Sequence, residues 1–262
     1  MSRFALATIL AALALLALGL SLGPPGRWWA MGAVAAAYLA LLGLGVAFIR
    51  MGFFTNALCR GKPGGMRVAL TFDDGPDPEA TPRLLDLLKD QKVPGTFFCI
   101  GERASAHPNI VRRMAQEGHA VGNHTSRHAW WTNFLFGRRL REEIGRAQET
   151  LRGILGRAPR YFRSPGGLTN PHLQGALSRL GLTLVGWDVR PFDRGAEPQA
   201  VIERVTRQAR DGSVIVLHDG GARAEALVRI VAAVVAHLRS AGYTLVSLDE
   251  LGGCPAEREE AG

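Results

Sequence analysis

The amino-terminal part of this chain lacks acidic residues, since none occurs before Asp73 in a sequence of 262 residues. The same part contains five basic residues, namely Arg3, Arg27, Arg50, Arg60 and Lys62. From Met66 onward the chain has 26 basic and 23 acidic residues, so most of the formal net charge of +8 lies before the first acid. This distribution does not indicate a nucleic-acid-binding surface, and nucleic acid is not expected as a partner.

Cysteine is also scarce, because Cys59, Cys99 and Cys254 are the only three in the chain. They are too few and too scattered for a disulfide framework or a CxxC metal site. Cys99 lies in the apolar run 97–100 and is predicted to be a buried thiol. The length allows one large domain or two small ones, and the sequence contains no internal repeat.

Charged residues are absent from two long apolar runs, residues 4–22 and 28–49. As helices these runs of 19 and 22 residues would be ~28 and ~33 Å long, close to the hydrocarbon thickness of a bilayer. Trp28 and Trp29 follow the Gly-Pro turn between them, at a place where interfacial aromatics are common. A transmembrane hairpin in a lipid bilayer is therefore predicted over residues 1–50. A signal peptide is the alternative for the first run, although no clear cleavage site follows it.

The basic residues predict the orientation of this hairpin. Arg3 precedes it and three basic residues follow it, whereas only Arg27 lies in the turn. By the positive-inside rule, both ends of the hairpin and the domain that follows are expected in the cytoplasm. A cleaved first run followed by a stop-transfer second run predicts the same side. The expected location is a bacterial-type inner (plasma) membrane.

Short apolar runs alternate with amphipathic runs after a Gly-rich segment, 51–65, that is predicted to be a linker. Seven strands are predicted at 68–72, 96–100, 119–122, 161–162, 183–187, 213–217 and 244–247. Helices are predicted at 81–91, 109–117, 138–155, 171–180, 198–210 and 225–241. This alternation predicts a parallel α/β domain over residues 66–252, arranged as a closed or nearly closed (β/α) barrel, with a polar tail at 253–262.

The motif Thr71-Phe-Asp-Asp-Gly-Pro76 places two adjacent carboxylates, Asp73 and Asp74, where the first strand ends. Successive strand residues point to opposite faces, so neighbours share one site only where the strand alternation relaxes. A turn that merely caps the strand is the alternative, because Asp, Gly and Pro are ordinary turn residues.

Two histidines, His124 and His128, follow the third strand at i and i+4, a spacing that would place both rings on one face of a helical turn. Together with one aspartate they would make a three-ligand metal site with open positions, which is typical of a catalytic metal. A solvated turn is the alternative.

Charged side chains also follow three later strands. Arg163 could orient a nearby carboxylate and lower its basicity, or it could be a surface residue before a Pro-Gly turn. Asp188 and Asp193 supply two more carboxylates, and His218 ends the most apolar strand in a Leu-His-Asp motif. A histidine at the mouth of a barrel can act as a general acid.

Together, the TFDDGP, HxxxH and LHD motifs resemble those of the polysaccharide deacetylase family (carbohydrate esterase family 4), which includes the NodB-like chitooligosaccharide deacetylases. The resemblance extends over residues 67–251. It implies a distorted (β/α) barrel and a metal-dependent hydrolase that removes the N-acetyl group from an amino sugar of a polysaccharide or glycan.

The resemblance also implies a role for each motif residue. Asp73 would be the catalytic base and His218 the general acid. The metal ligands would be Asp74, His124 and His128, holding a divalent ion, with Zn²⁺ as the first choice. Arg163 would hold the base, and Asp193 would tune His218. The residues implied to contact the substrate or stabilise the oxyanion are Ser164, Pro165, Gly166, Gly167 and Leu217.

Two positions depart from the family pattern: Gly166 stands where an aromatic residue is usual, and Arg194 stands in place of a tryptophan. In the family both positions commonly shape the sugar groove, so the resemblance does not determine the identity of the substrate. A deacylase or deformylase of a lipid-linked amino sugar is the alternative. Arg194 would suit the phosphate of a lipid carrier, because the guanidinium geometry matches phosphate. Further candidates to bind this phosphate are Arg138, Arg139 and Arg141, and the alternative is that they form a solvated helix face. An inactive glycan-binding module fits the complete residue set less well.

An aromatic segment, 130–136, follows the second histidine and contains Trp130, Trp131, Phe134, Leu135 and Phe136. Core packing is expected for most of these side chains. Some of them are hypothesised to line the substrate entrance or to touch the bilayer.

Overall fold

The computed structural model describes residues 2–21 and 23–252, so the predicted tail 253–262 and Cys254 lie outside the described residues. Within them, seven parallel strands form one sheet in the order β5-β4-β3-β2-β1-β6, with β7 also paired to β1. The strands are β1 Arg67–Asp73, β2 Gly95–Cys99, β3 Ala120–Asn123, β4 Tyr161–Phe162, β5 Thr183–Leu184, β6 Val214–His218 and β7 Thr244–Leu245.

The sheet curls into a nearly closed (β/α) barrel. The two strands at the edges of this order, β5 and β6, do not pair directly with each other. The chain beyond β5 nevertheless reaches β6 through a bridge between Val189 and Ile215. Leu58, which precedes the first strand, pairs with Val185 beside β5. The predicted fold class and number of strands are therefore confirmed, although β5 and β7 each have only two residues.

Helices follow the strands and cover the outside of the sheet. They are α3 Ala80–Asp90, α4 Gly101–Ala106, α5 Pro108–Gln116, α6 Gly137–Leu155, α7 Leu173–Arg179, α8 Pro198–Gln208 and α9 Ala224–Ser240. All except the short α4 were predicted within a few residues. Leu84, Leu85 and Leu88 of α3 are fully buried, as their helical spacing indicates.

Strand β1 lies at the centre of the sheet and is buried on both faces, which explains its nearly continuous apolar sequence. Phe72 belongs to the core cluster under the helices and stacks on Phe97 of β2, with ring centroids 5.0 Å apart. In register, Asp73 is the partner of His218 on β6. Because parallel strands end at the same edge, this register brings the charged motifs together at one mouth of the barrel.

Two helices precede the barrel, α1 Arg3–Ser21 and α2 Gly26–Ala47, and they pack against each other as a hairpin. Both are long and apolar enough to cross a membrane by length and composition, a test that a signal sequence also passes. Gly45 is the only residue of the two described helices that is buried. Thr8 and Tyr38 join the two helices by a hydrogen bond of 2.8 Å between their hydroxyls.

The segment 51–65, predicted to be a linker, packs against the hairpin at its start and against the barrel at its end. Phe53 and Phe54 are buried, and Phe53 lies against Gly45, where a Cβ atom would collide with its ring. At the other end, Asp211 accepts hydrogen bonds from the amides of Gly64 and Gly65. The two phenylalanines therefore fix the start of the segment to the hairpin, where both rings contact Phe4 of α1.

The end of α2 is also attached to the barrel mouth. Thr169 donates its amide to the carbonyl of Val46 at 3.0 Å and its hydroxyl to the carbonyl of Gly45 at 2.8 Å. Thr169 belongs to the loop that follows β4. The hairpin therefore ends beside the loop that carries the Ser164–Gly167 motif.

Candidate active site

Asp73 and Asp74 both reach the barrel mouth because the chain leaves the strand between them. Asp73 ends β1, whereas Asp74 has a φ of 71°, in the left-handed region that non-glycine residues rarely adopt. This conformation breaks the strand alternation. The two buried carboxylates then have different partners: Asp73 faces Arg163, and Asp74 faces the histidines.

Asp74, His124 and His128 form a group whose ligand atoms all lie within 4.8 Å of one another. Asp74 Oδ1 lies 3.3 Å from His124 Nε2 and 3.1 Å from His128 Nε2. It is a buried oxygen without a hydrogen-bond donor among the described residues. Because a buried carboxylate oxygen without a partner is costly, this arrangement fits a divalent cation bound between the three side chains.

Backbone contacts orient the first histidine for this purpose. His124 Nδ1 donates to the carbonyl oxygen of Arg163 at 2.7 Å, which leaves the lone pair of Nε2 directed at the ligand group. Burial lowers the pKa of His124, and burial together with the neighbouring His124 lowers the pKa of His128 to about 4. Both rings are thus neutral near pH 7, the form that binds metal.

The histidine loop is not the helical turn that the spacing predicted. Thr125 and His128 have φ values of 65° and 52°, so the segment is an irregular loop. Asn123 Oδ1 accepts the amide of Thr125 at 2.9 Å, and Thr125 Oγ1 accepts the amide of His128 at 3.0 Å. These side-chain contacts replace the helical hydrogen bonds and bring the two ring centroids within 4.7 Å.

Arg163 is fully buried, which contradicts the alternative of a surface arginine. Its Nη1 donates to Asp73 Oδ1 at 2.7 Å and to Thr71 Oγ1 at 2.8 Å. Its Nη2 donates to the carbonyl of Gly186 at 2.8 Å, and the guanidinium lies 4.1 Å from the centre of the Phe98 ring. Burial lowers the pKa of this guanidinium, whereas Asp73 raises it. The pair fixes the position of Asp73 and leaves its other oxygen for chemistry.

Asp193 binds His218 through two contacts. Asp193 Oδ1 accepts from His218 Nδ1 at 2.8 Å, and Oδ2 accepts from the His218 amide at 2.8 Å. The ring of His218 therefore presents Nε2 to the cavity. Asp188, the other carboxylate predicted in this segment, lies elsewhere. It accepts from Ser213 at 3.0 Å and from the Val214 amide at 2.9 Å, and so joins the chain to β6.

The Ser164–Gly167 motif contributes to the cavity through one residue. Ser164 donates its hydroxyl to Asn133 Oδ1 at 3.0 Å, and Gly167 donates its amide to the Ser164 carbonyl at 2.9 Å. Ser164, Pro165 and Gly167 are buried, and Gly166 alone lines the cavity.

Leu217 does not belong to the cavity, contrary to the expectation from the family resemblance. Its side chain is fully buried in the core cluster under the helices. Side chains alternate along β6, so the neighbouring Val216 faces the barrel interior and lines the cavity.

The cavity has a volume of about 370 Å³ and is lined by Asp73, Asp74, His124, His128 and His218. Besides Val216, the further lining residues that the sequence did not identify are Ile100, Arg103, Trp187, Arg190 and Phe192. Trp187 and Arg190 lie in the segment before Asp193. The size of the tryptophan and the charge of the arginine were the sequence features that could have identified them. Arg194, which stands in place of a tryptophan, forms an ion pair with Asp74 Oδ2.

Asp219, the last residue of the Leu-His-Asp motif, is a buried acid behind the site. Burial raises its pKa to about 7, and a hydrogen bond of 2.5 Å from Thr81 to Oδ2 opposes that shift. Its Oδ1 has no hydrogen-bond partner among the described residues. The motif marked its position, but its close packing against Gly75, where a Cβ atom would collide with the carboxylate, is visible only in three dimensions.

Comparisons with known proteins agree with this geometry. The family profile described as polysaccharide deacetylase matches residues 60–185. The peptidoglycan-N-acetylglucosamine deacetylase of Bacillus cereus is 34% identical over 187 residues, covering 70% of this chain and 87% of that protein. The chitooligosaccharide deacetylase of Sinorhizobium fredii is 38% identical over 170 residues, with 64% and 78% covered. A crystal structure of a peptidoglycan N-acetylglucosamine deacetylase superposes with a TM-score of 0.69 at 34% identity, covering 74% of this chain and 91% of the other.

Proposed function

The chain belongs to the polysaccharide deacetylase family, and on that premise we propose that it is a membrane-anchored, metal-dependent enzyme that removes the N-acetyl group from an amino sugar. As a member of this family it is a hydrolase of non-peptide carbon–nitrogen bonds, and polysaccharide or peptidoglycan amino sugars are its substrate class.

One observation supports the proposal most strongly: Asp73 and Asp74 are adjacent but are held by different partners. Arg163 holds Asp73 at 2.7 Å, and the two histidines approach Asp74 at 3.3 and 3.1 Å. One carboxylate is thus placed to bind a cation and the other to exchange a proton. A binding module would not need this separation.

The proposed reaction is hydrolysis of an amide. The side chains that would hold a divalent ion, with Zn²⁺ as the first choice, are those of Asp74, His124 and His128. When bound, such an ion would lower the pKa of water from ~16 toward ~7 and polarise the amide oxygen. Asp73 accepts a proton from the water that attacks the acyl carbon. His218, oriented by Asp193, donates a proton to the amine nitrogen as the carbon–nitrogen bond breaks, giving acetate and a free amino sugar. The backbone amide of Gly166 is the proposed donor to the oxyanion.

The test uses the full-length chain in detergent, with acetate release from an N-acetylated chitooligosaccharide as one readout and bound metal as the other. Asp73→Asn and His218→Ala should lose turnover and keep their metal, whereas Asp74→Asn should lose both. His237→Ala is the matched control, because His237 is exposed on α9. Ordinary turnover in the Asp73 or His218 variant would refute the roles proposed for them.

We propose further that the hairpin spans a plasma membrane with the barrel on the cytoplasmic side. Basic residues at both ends of the hairpin support this orientation. Two reporters fused to the carboxyl terminus test this topology. A reporter that works only in the cytoplasm should be active. Activity of a reporter that works only outside the cytoplasm would contradict the proposed topology.

A lipid-linked amino sugar is the second candidate substrate, to be deacylated or deformylated. Its support is the attachment of Thr169, three residues after Gly166 in the cavity, to the end of α2. On the neighbouring loop Trp131, Phe134 and Phe136 are 51%, 63% and 60% exposed, too much for core packing. Large apolar side chains beside a predicted membrane hairpin fit a bilayer surface.

The arginines at 138, 139 and 141 support this second candidate only weakly. Arg138 pairs with Glu142 at 2.5 Å on an exposed face of α6, as a solvated helix face would. The test compares acyl release from a lipid-linked amino sugar in vesicles with release from the soluble sugar. Phe134→Ser with Phe136→Ser should lower only the vesicle activity, while Met66→Ser, at an exposed position before β1, should change neither. An equal loss of activity on both substrates would contradict the proposed contact of these side chains with the bilayer.

A further inference from the structure

Arg190 occupies an unusual position in the catalytic cavity. Its guanidinium lies 5.2 Å from the centre of the Trp187 ring and 5.0 Å from that of the Phe192 ring. Contacts of this kind hold a cation in place without neutralising its charge. Trp187 is itself packed against Gly167, where even a Cβ atom would collide with the ring. Arg190 therefore lies against two aromatic rings at the cavity.

No carboxylate among the described residues forms an ion pair with Arg190. The acidic groups of the cavity are already used: Asp73 pairs with Arg163, and Asp193 pairs with His218. Asp74 is paired with Arg194 and approached by the two histidines. A cation without an acidic partner in a cavity is available for an external anion.

The backbone turns within the segment that carries Arg190. Phe192 has a φ of 53°, a conformation that is strained for an aromatic residue and that bends the segment between Arg190 and Arg194. As a result Arg190, Asp193 and Arg194 line the same cavity. Arg103 also lines this cavity and donates to the carbonyl of Asp74 at 2.7 Å. Three arginines thus face one space that also contains the catalytic groups.

We propose that Arg190 is the centre of an oxyanion subsite, so that the preferred substrate is an N-acylated amino sugar carrying a phosphate or carboxylate group. The guanidinium is suited to bind either group through two parallel hydrogen bonds. The cavity of about 370 Å³ has room for roughly one sugar, which places the anion close to the scissile amide. This inference rests on the proposed deacylase function and specifies its substrate.

The test compares three soluble sugars that share one N-acetyl group: methyl N-acetylglucosaminide, its 6-phosphate and N-acetylmuramic acid. The first is neutral, the second carries a phosphate and the third a carboxylate. The ratio of kcat/KM for each anionic sugar to that for the neutral sugar is measured in the full-length, metal-loaded protein. Binding of the phosphosugar and of inorganic phosphate is measured by calorimetry in the same preparation.

Arg190→Gln removes the proposed anion partner, and Arg207→Gln removes an equal charge from an exposed position on α8. The wild type should prefer at least one anionic sugar, and Arg190→Gln should reduce that preference about tenfold, the effect of losing a charge-assisted hydrogen bond. Arg207→Gln should keep it. Arg190→Lys should lie between them, because lysine retains the charge but not the paired geometry.

Equal losses for neutral and anionic sugars in Arg190→Gln would overturn the subsite, and so would the absence of an anionic preference in the wild type. Arg190-dependent binding of inorganic phosphate as tight as that of the phosphosugar would indicate a free-anion site and would also overturn it as a substrate subsite. If no sugar releases acetate, the proposed function fails. The calorimetric comparison of wild type with Arg190→Gln then still decides whether the subsite exists.

Discussion

Arg163 and Asp73 form an ion pair of 2.7 Å in which both side chains are almost completely buried. Thr71 and the carbonyl of Gly186 occupy further donors of the same guanidinium. The carbonyl of Arg163 in turn holds His124 at 2.7 Å. One residue therefore positions both the proposed base and a proposed metal ligand.

Replacing Arg163 by methionine should destabilise the protein strongly, because Asp73 would remain buried without its partner. The expected loss in the free energy of unfolding is about 3–5 kcal/mol. Urea unfolding of the detergent-solubilised protein measures it. Arg160→Met is the control, since its pair with Asp249 is partly exposed and should contribute less than about 1 kcal/mol. Similar losses in both variants would show that burial does not decide the effect.

Asp193→Asn should lower kcat by at least about 100-fold, since general acid catalysis contributes that much and His218 would lose its orienting carboxylate. Metal content should stay the same, because Asp193 does not contact the ligand group. Turnover of an N-acetylated chitooligosaccharide and metal analysis of one preparation measure the two quantities. A variant that loses metal along with activity would place Asp193 in the metal site.

The pKa of Asp219 predicts a pH dependence of stability. Burial raises this pKa to about 7, whereas an unfolded aspartate titrates near 4, so folding takes up a proton between these values. Stability contributed by the protonated form is present below about pH 4 and is lost as pH rises toward 7. Asp219→Asn should remove this part of the slope.

Urea unfolding of wild type and Asp219→Asn at several pH values between 4 and 7.5 measures the difference. The variant should gain stability relative to the wild type as pH rises. A difference that is independent of pH would mean that Asp219 is ionised throughout this range.

Gly45→Leu should weaken the attachment of the segment 51–65 to the hairpin, because its side chain would displace the ring of Phe53. Overpacking of this kind costs about 1–3 kcal/mol. Gly43→Leu is a matched control on the same helix, since a Cβ atom at Gly43 would have no neighbour within 4 Å among the described residues. Thermal unfolding and proteolysis of the segment 51–65 in detergent should distinguish the two, and equal sensitivity would contradict the proposed contact.

The sequence predicted the order of strands and helices well, because apolar period and turn residues act locally. It also predicted that Asp73, Asp74 and the histidine pair would meet, since each motif follows a parallel strand. The loop conformation at Thr125 depends on side-chain hydrogen bonds to Asn123 and could not be obtained from spacing.

Other parts of the site depended on contacts distant in sequence. Leu217 was assigned to the cavity through family resemblance, whereas strand alternation alone would have favoured Val216. Arg190 was visible as a charge, but its lack of an acidic partner within the described part of the chain follows from the partners taken by Asp73 and Asp193. The segment 51–65 was predicted to be a linker from its glycines, and the burial of Phe53 and Phe54 was not predicted.

The hydrogen bonds between Thr169 and the end of α2 have a consequence for how substrate is found. If the hairpin spans a membrane, the barrel is docked at a fixed height and cannot sweep out the volume that a free tether would allow. Encounters with a membrane-borne glycan would then be a search in two dimensions. Their rate would follow the lateral mobility and surface density of the glycan, rather than its bulk concentration.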